Sequence, residues 1–128
     1  HGFMIHGGGW KKLANEAVSA EQFRDGLREV CGILDVRNYY GMAEQTGCIY
    51  MECECGHLHA SSYSDVLIRN MEDFSCCKNG TEGVIQVLTP MAWSYPGHSI
   101  LTEDKGMILG EDDCPCGRKG KYIRITGI

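Results

Sequence analysis

The period of the apolar positions changes near residue 46. Before it, Phe3-Met4-Ile5 reads as a strand that breaks off at His6-Gly7-Gly8-Gly9, where backbone can approach a ligand with no Cβ in the way. Ser19-Ala20-Glu21-Gln22 has the form of a capping box, in which the Ser and Gln side chains satisfy orphan N–H groups. Phe23, Leu27, Val30, Cys31 and Leu34 then recur at helical spacing. This predicts a helix over 19–31 with one buried face, Cys31 serving there as a small core hydrophobe, and Gly32 as the stop. A strand at 35–40 follows. Strand, glycine turn, helix and strand in that order predict two parallel neighbours joined by a crossover helix.

Beyond Glu44 the pattern shortens to strand-length runs. We read strands at 48–51, 65–69, 83–88, 106–109 and 122–125, with Asn79-Gly80 as a turn between two of them. Such runs predict a small, mostly antiparallel barrel or sheet. The expected class is α+β: a strand-helix-strand part over 1–46, then a β subdomain over 47–128.

Composition adds bounds. A chain of 128 residues with 43% hydrophobic and 23% charged content is that of a globular domain. A net charge of −5 argues against a nucleic-acid surface. No apolar run approaches the roughly 18 residues that span a bilayer, so no membrane insertion is expected. The chain opens on strand-like material and stops just after another such run, which reads as a piece of a longer protein.

The 8 cysteines invite a disulfide framework, but their spacing argues against it. Cys76 and Cys77 are adjacent, and Cys53/Cys55 and Cys114/Cys116 are one residue apart, positions at which disulfide geometry is rarely met. Cys53, Cys55, His57 and His59 alternate, so an extended segment puts them on one face. They cannot all wrap one ion, because same-face neighbours lie roughly 6.5–7 Å apart. Two ligands from this segment and two from Cys114-Pro115-Cys116-Gly117 make better tetrahedral geometry. If Cys53, His59, Cys114 and Cys116 are the set, they hold a structural zinc that staples the middle of the strand region to its end; spacing leaves Cys55 and His57 open as competing choices. A thiolate-rich site of this kind points to a reducing, cytosolic compartment.

One further stretch carries chemistry. Tyr39-Tyr40-Gly41-Met42-Ala43-Glu44-Gln45 places aromatic rings, a glycine and a carboxylate within seven residues after a strand. Together with the other motifs it resembles the adenylate-forming (ANL) superfamily, and within it the LuxE-type acyl-protein synthetases, with phenylacetate-CoA ligases more distant. Tyr40-Gly41-Met42-Ala43-Glu44 matches an aromatic-Gly-x-Thr-Glu motif, Gly7-Gly8-Gly9-Trp10 a glycine-rich adenine segment, and Thr102-Glu103-Asp104 a Thr-Gly-Asp motif. Cys53, His59 and Cys114-Pro115-Cys116-Gly117-Arg118 match the elements of the zinc-binding branch. Two residues depart from the pattern, Ala43 for Thr and Glu103 for Gly.

The resemblance implies that Tyr40 packs on adenine, Gly8 and Gly9 line the base pocket, and Gly41 and Met42 lie along the nucleotide. It implies that Glu44 holds the Mg²⁺ that bridges the phosphates of ATP and that Asp104 accepts the ribose hydroxyls. The parent would activate a fatty acid as an acyl-adenylate and pass it to a protein thiol, with an acyl-accepting protein or a reductase as partner. This piece alone would be inactive. The alternatives are an acyl- or aryl-CoA ligase and, from another class, a non-catalytic zinc-stabilised binding module in which the glycine and Tyr40–Glu44 segments are mere turns. A secreted disulfide domain is a third.

Overall fold

The computed structural model describes residues 2–128. Its elements are β1 (Phe3–Gly7), α1 (Ala20–Cys31), β2 (Asp35–Tyr40), β3 (Tyr50–Glu52), β4 (Leu58–His59), β5 (Asp65–Arg69), β6 (Gly83–Leu88), β7 (Ser99–Glu111) and β8 (Lys121–Gly127), with short 3₁₀ turns at Lys11–Glu16 and Ala43–Gln45. All strands join one sheet in the order β1-β2-β3-β4-β8-β7-β6-β5. β1 and β2 are parallel across the α1 crossover, and every other pair is antiparallel. This is the mixed, mostly antiparallel architecture expected, as an open sheet and not a closed barrel.

The sheet nevertheless curls strongly. The Tyr50 hydroxyl on β3 donates to the Asp65 carbonyl on edge strand β5 at 3.0 Å, although four strands lie between the two. Lys121 on β8 reaches the same strand, donating to the Asp65 carboxylate at 2.9 Å and the Val66 carbonyl at 3.2 Å. Inside the curl lies one apolar cluster of Tyr40, Tyr50, Leu58, Val66, Ile68, Ile85, Val87, Ile108 and Ile123. Burial alternates along β5 and β6, as a strand with one core face requires. A Cβ on Gly106 would lie 2.6 Å from the Arg124 carbonyl and 2.9 Å from Ile85 Cδ1, so the backbones here pack too closely for any side chain.

The capping box forms as read: Ser19 Oγ accepts from the Gln22 N–H at 3.1 Å, and the Ser19 N–H donates to Gln22 Oε1 at 2.9 Å. Gly32 caps the other end in the left-handed region at φ 67°. The expected buried face is a correction. α1 has no buried residue, Val30 is 83% exposed and Leu34 68%, and Cys31 is exposed and no part of the core. Periodicity reported the apolar stripe correctly, but only Phe23 and Leu27 on it are even half-buried, because little of this chain lies against the helix.

The strands also differ from the reading, β3 beginning at Tyr50 and not at Cys48. β4 was not expected, because its Leu58-His59 sits in a segment read only for ligands. β7 runs from Ser99, since polar Thr102-Glu103-Asp104-Lys105 continues the alternation before a register shift at Lys105/Gly106. Among the described residues no helix is long and apolar enough to cross a membrane.

Ile85 is fully buried at the centre of the cluster, whereas Ser19 acts only on the helix end. In urea unfolding of the full-length protein, Ile85→Ala should cost about 2–5 kcal/mol. Ser19→Ala should cost only about 0.5–2 kcal/mol.

Candidate functional site

Two turns at one end of the sheet bring the cysteines together. In the β3–β4 turn, the Cys53 N–H donates to the His57 carbonyl at 2.9 Å and the Gly56 N–H to the Cys53 carbonyl at 3.0 Å, with Gly56 at φ 76°. The β7–β8 turn repeats the device, the Gly117 N–H donating to the Cys114 carbonyl at 3.0 Å with Gly117 at φ 81°. A left-handed residue is needed at each reversal, which is what glycine supplies. β4 pairs with β8, His59 opposite Tyr122, so the turns face one another.

The ligand atoms of Cys53, His59, Cys114 and Cys116 all lie within 4.8 Å of each other. Cys53 Sγ is 3.9 Å from Cys114 Sγ, and Cys116 Sγ is 3.4 Å from His59 Nε2. A tetrahedral zinc with ordinary bond lengths separates two sulfurs by about 3.8 Å and sulfur from nitrogen by about 3.6 Å. The donor set and its spacing thus fit Zn²⁺. His59 is fully buried and its Nδ1 has no partner among the described residues. Of the competing choices, Cys55 is exposed, and His57 sits with Nδ1 3.2 Å from Cys114 Sγ.

The protonation of this cluster is already biased. Burial lowers His59, helped by the nearby Arg118 charge, so the imidazole is held neutral as a ligand must be. Burial raises the Cys53 thiol, but the backbone N–H groups of His57 and Cys55 and the Cys116 and Cys114 thiols outweigh it, so the net direction is down. Cys116 goes the other way. Desolvation, joined by the Cys114 and Cys53 sulfurs, pushes it up to about 11 against the Arg118 N–H.

The second constellation is a cavity of about 340 Å³ lined by Gly7, Gly8, Gly9, Asn38, Tyr39, Tyr40, Gly41, Leu58, Asp104, Ile125 and Ile128. The Tyr40 hydroxyl donates to Asp104 Oδ2 at 2.7 Å. Burial, reinforced by that carboxylate, drives the Tyr40 hydroxyl well above the usual tyrosine range and keeps it a donor. Thr102 fixes the acid from behind: its Oγ1 accepts the Asp104 N–H at 3.2 Å and donates to the Ile85 carbonyl at 2.8 Å. Gly7 lies so close to Tyr39 that a Cβ would meet the ring at 2.6 Å. The glycine run also borders a second cavity of about 360 Å³, lined by His6, Trp10, Leu13, Val18, Ala20, Phe23 and Asn38.

Of the residues singled out, the cavity gathers Gly8, Gly9, Tyr40, Gly41 and Asp104. Met42 instead packs on the core, and Glu44 is exposed on the Ala43–Gln45 turn, neither lining the cavity. Two carboxamides carried no role in the sequence reading. Asn38 borders both cavities, its N–H donates to Glu52 Oε2 at 2.7 Å, and its buried Oδ1 has no partner among the described residues. Gln45 is buried beside Glu44 and donates to the Gly97 carbonyl at 2.9 Å, tying the turn to the loop before β7. An amide inside a strand and a second ending a motif were the available signals.

Comparison with known proteins decides the lineage. The family described as "Acyl-protein synthetase, LuxE" matches residues 1–128. The chain belongs to this family. No curated protein gives a significant match. Among solved structures, apo MatB from Rhodopseudomonas palustris has a TM-score of 0.64 at 18% identity, covering 98% of this chain and 25% of its own. ATP-bound MatB from the same organism gives 0.61 at 17%, covering 98% and 25%. A long-chain-fatty-acid-CoA ligase (FadD1) from Archaeoglobus fulgidus gives 0.59 at 15%, covering 98% and 28%. The fold is therefore shared with a segment of these structures, and the chain spans about a quarter of their length.

The raised Cys116 thiol makes a testable demand. An ordinary cysteine is mostly thiolate at pH 9, but Cys116, near 11, still holds its proton there in the metal-free protein and must lose it on coordination. Calorimetric zinc titration at pH 9, in buffers of different ionisation enthalpy, should still report proton release. Heats independent of buffer would contradict this.

Proposed function

We propose that the protein carrying this chain is an ATP-dependent, adenylate-forming ligase that activates a fatty acid and passes the acyl group to a protein thiol. The carboxylate attacks the α-phosphorus of ATP, an acyl–phosphate bond forms and pyrophosphate leaves. A cysteine sulfur then attacks the acyl carbon, a thioester forms and AMP departs. The acceptor would be an acyl-carrying protein or a reductase that consumes the thioester.

The observation that carries the reading is the Tyr40–Asp104 pair on the wall of a cavity bordered by Gly7–Gly9. Tyr40 occupies one lone pair of Oδ2, which leaves Oδ1 and the remaining pair free to accept the two hydroxyls of a ribose. The glycines let a flat base approach the backbone. Tyr40 would pack on the base, and Gly41 would lie along the nucleotide. Exposed Glu44 would hold Mg²⁺, which neutralises charge as pyrophosphate leaves, and Met42 would lie along the nucleotide.

Cys53, His59, Cys114 and Cys116 would hold a structural zinc, four protein ligands leaving no position for a catalytic water. In this reading residues 1–46 supply the glycine and aromatic walls, and 47–128 supply Asp104 and the staple. Thiolate ligation suits the cytosol.

ATP–pyrophosphate exchange by the full-length protein, with a panel of fatty acids, tests the first half-reaction. Exchange should fall roughly 10- to 100-fold in Asp104→Ala, the loss of charge-assisted hydrogen bonds to a substrate. No exchange with any acid would sink the ligase reading. Radiolabelled fatty acid should then appear on protein as a hydroxylamine-labile ester; label on coenzyme A alone would make this an acyl-CoA ligase, the activity named for the Archaeoglobus relative.

A further inference from the structure

Three thiolates and one imidazole around a divalent ion carry one excess negative charge, so the sulfurs need hydrogen-bond donors nearby. Two have them from the backbone. Cys53 is approached by the N–H groups of His57 and Cys55, and Cys116 Sγ accepts the Arg118 N–H at 3.4 Å. Cys114 is followed by Pro115, which has no N–H to give. The side-chain nitrogen that reaches Cys114 Sγ is His57 Nδ1, at 3.2 Å.

The His57 ring is set for this contact. It stacks on Tyr122 with centroids 4.8 Å apart and planes at 24°, while His59 stacks on the same ring at 5.5 Å and 29°. Tyr122 pairs in register with His59 across β4–β8 and belongs to the small cluster of Cys53, Cys114 and Cys116. One tyrosine thereby orients both imidazoles. The four atoms that converge within 4.8 Å include His59 and not His57.

The geometry points to His57 as a positioning residue of the metal centre: its Nδ1–H donates to the Cys114 thiolate, and it is not a ligand. The inference rests on the reading of Cys53, His59, Cys114 and Cys116 as a metal site, and goes beyond it by giving the second histidine a separate task. Without that donor the Cys114 sulfur carries its charge beside Pro115 with no side-chain N–H to share it. The ion is then held less tightly although all four ligands remain.

The test uses the full-length protein, a chelator competition for zinc, and cadmium NMR of the loaded protein. His57→Phe keeps a flat ring on Tyr122 and removes the donor. It should weaken zinc binding about 10- to 100-fold while the cadmium resonance stays in the three-sulfur, one-nitrogen range. His57→Gln, which restores an N–H, should recover part of the affinity. His59→Phe should move the resonance itself.

Unchanged zinc affinity in His57→Phe overturns the inference and leaves the metal site standing. A resonance that moves with His57→Phe and not with His59→Phe overturns it by making His57 the ligand. Wild-type protein that binds neither metal overturns both readings. Should His57→Phe fail to fold, the wild type decides: coupling across the hydrogen bond between cadmium and the His57 Nδ1 proton is expected, and its absence refutes the donor role.

Discussion

The structure depends on a strand of two residues. β4, Leu58–His59, is the link through which β1, β2 and β3 join β8, β7, β6 and β5 in one sheet. Two ladder pairs, Leu58 with Ile123 and His59 with Tyr122, make up that seam on the β8 side. So short a strand holds poorly by itself. The ends of the flanking turns meet in the Cys53, His59, Cys114 and Cys116 cluster, where a coordinated ion would bind the seam with bonds far stronger than two ladder pairs. The interior supports it from below, with Leu58 and Ile123 both in the main apolar cluster.

The cavity that we assign to a nucleotide lies across the same seam. Glycines 7–9, Asn38 and Tyr40 come from its β1–β2 side, Asp104 and Ile125 from its β7–β8 side. The Tyr40–Asp104 hydrogen bond joins residues 64 apart in sequence. Neither half holds a complete lining. Curling of the sheet, secured by Tyr50 and Lys121 on Asp65, makes one concave core out of both. The nucleotide chemistry we propose would thus draw on two sides of a join, and depend on how well that join is held.

Much of this could be read from residue order. Ser19 and Gln22 announced a helix start through a local, reciprocal pair of hydrogen bonds, and Gly32 announced its end through a conformation few other residues adopt. The alternation in 65–69 and 83–88 was plain because one face of each strand is core. Spacing limited each segment to about two ligands, since alternate residues on one strand cannot surround an ion, but it left Cys55 and His57 open beside Cys53 and His59. What escaped was non-local. Val30 and Leu34 look like core residues in sequence, and nothing local reveals that little in this chain packs against them. Thr102 and Asp104 stood out as a motif, but the strand that carries them is too polar there for an apolar pattern to reveal. Asn38 and Gln45 gain significance only from buried oxygens left without partners.

The seam also orders the assembly of the chain. β1, α1 and β2 form by a short crossover, and β5, β6, β7 and β8 follow one another as a meander of neighbours. Both can grow from contacts close in sequence. Closing the seam must bring Cys53 to Cys114, 61 residues away, and that longer loop closure is the entropically costlier event. Contacts of high sequence separation are the slow ones. On loop-closure cost alone, docking of the two pieces follows their local formation, and until it occurs each piece exposes an unpaired strand edge to the surrounding solution.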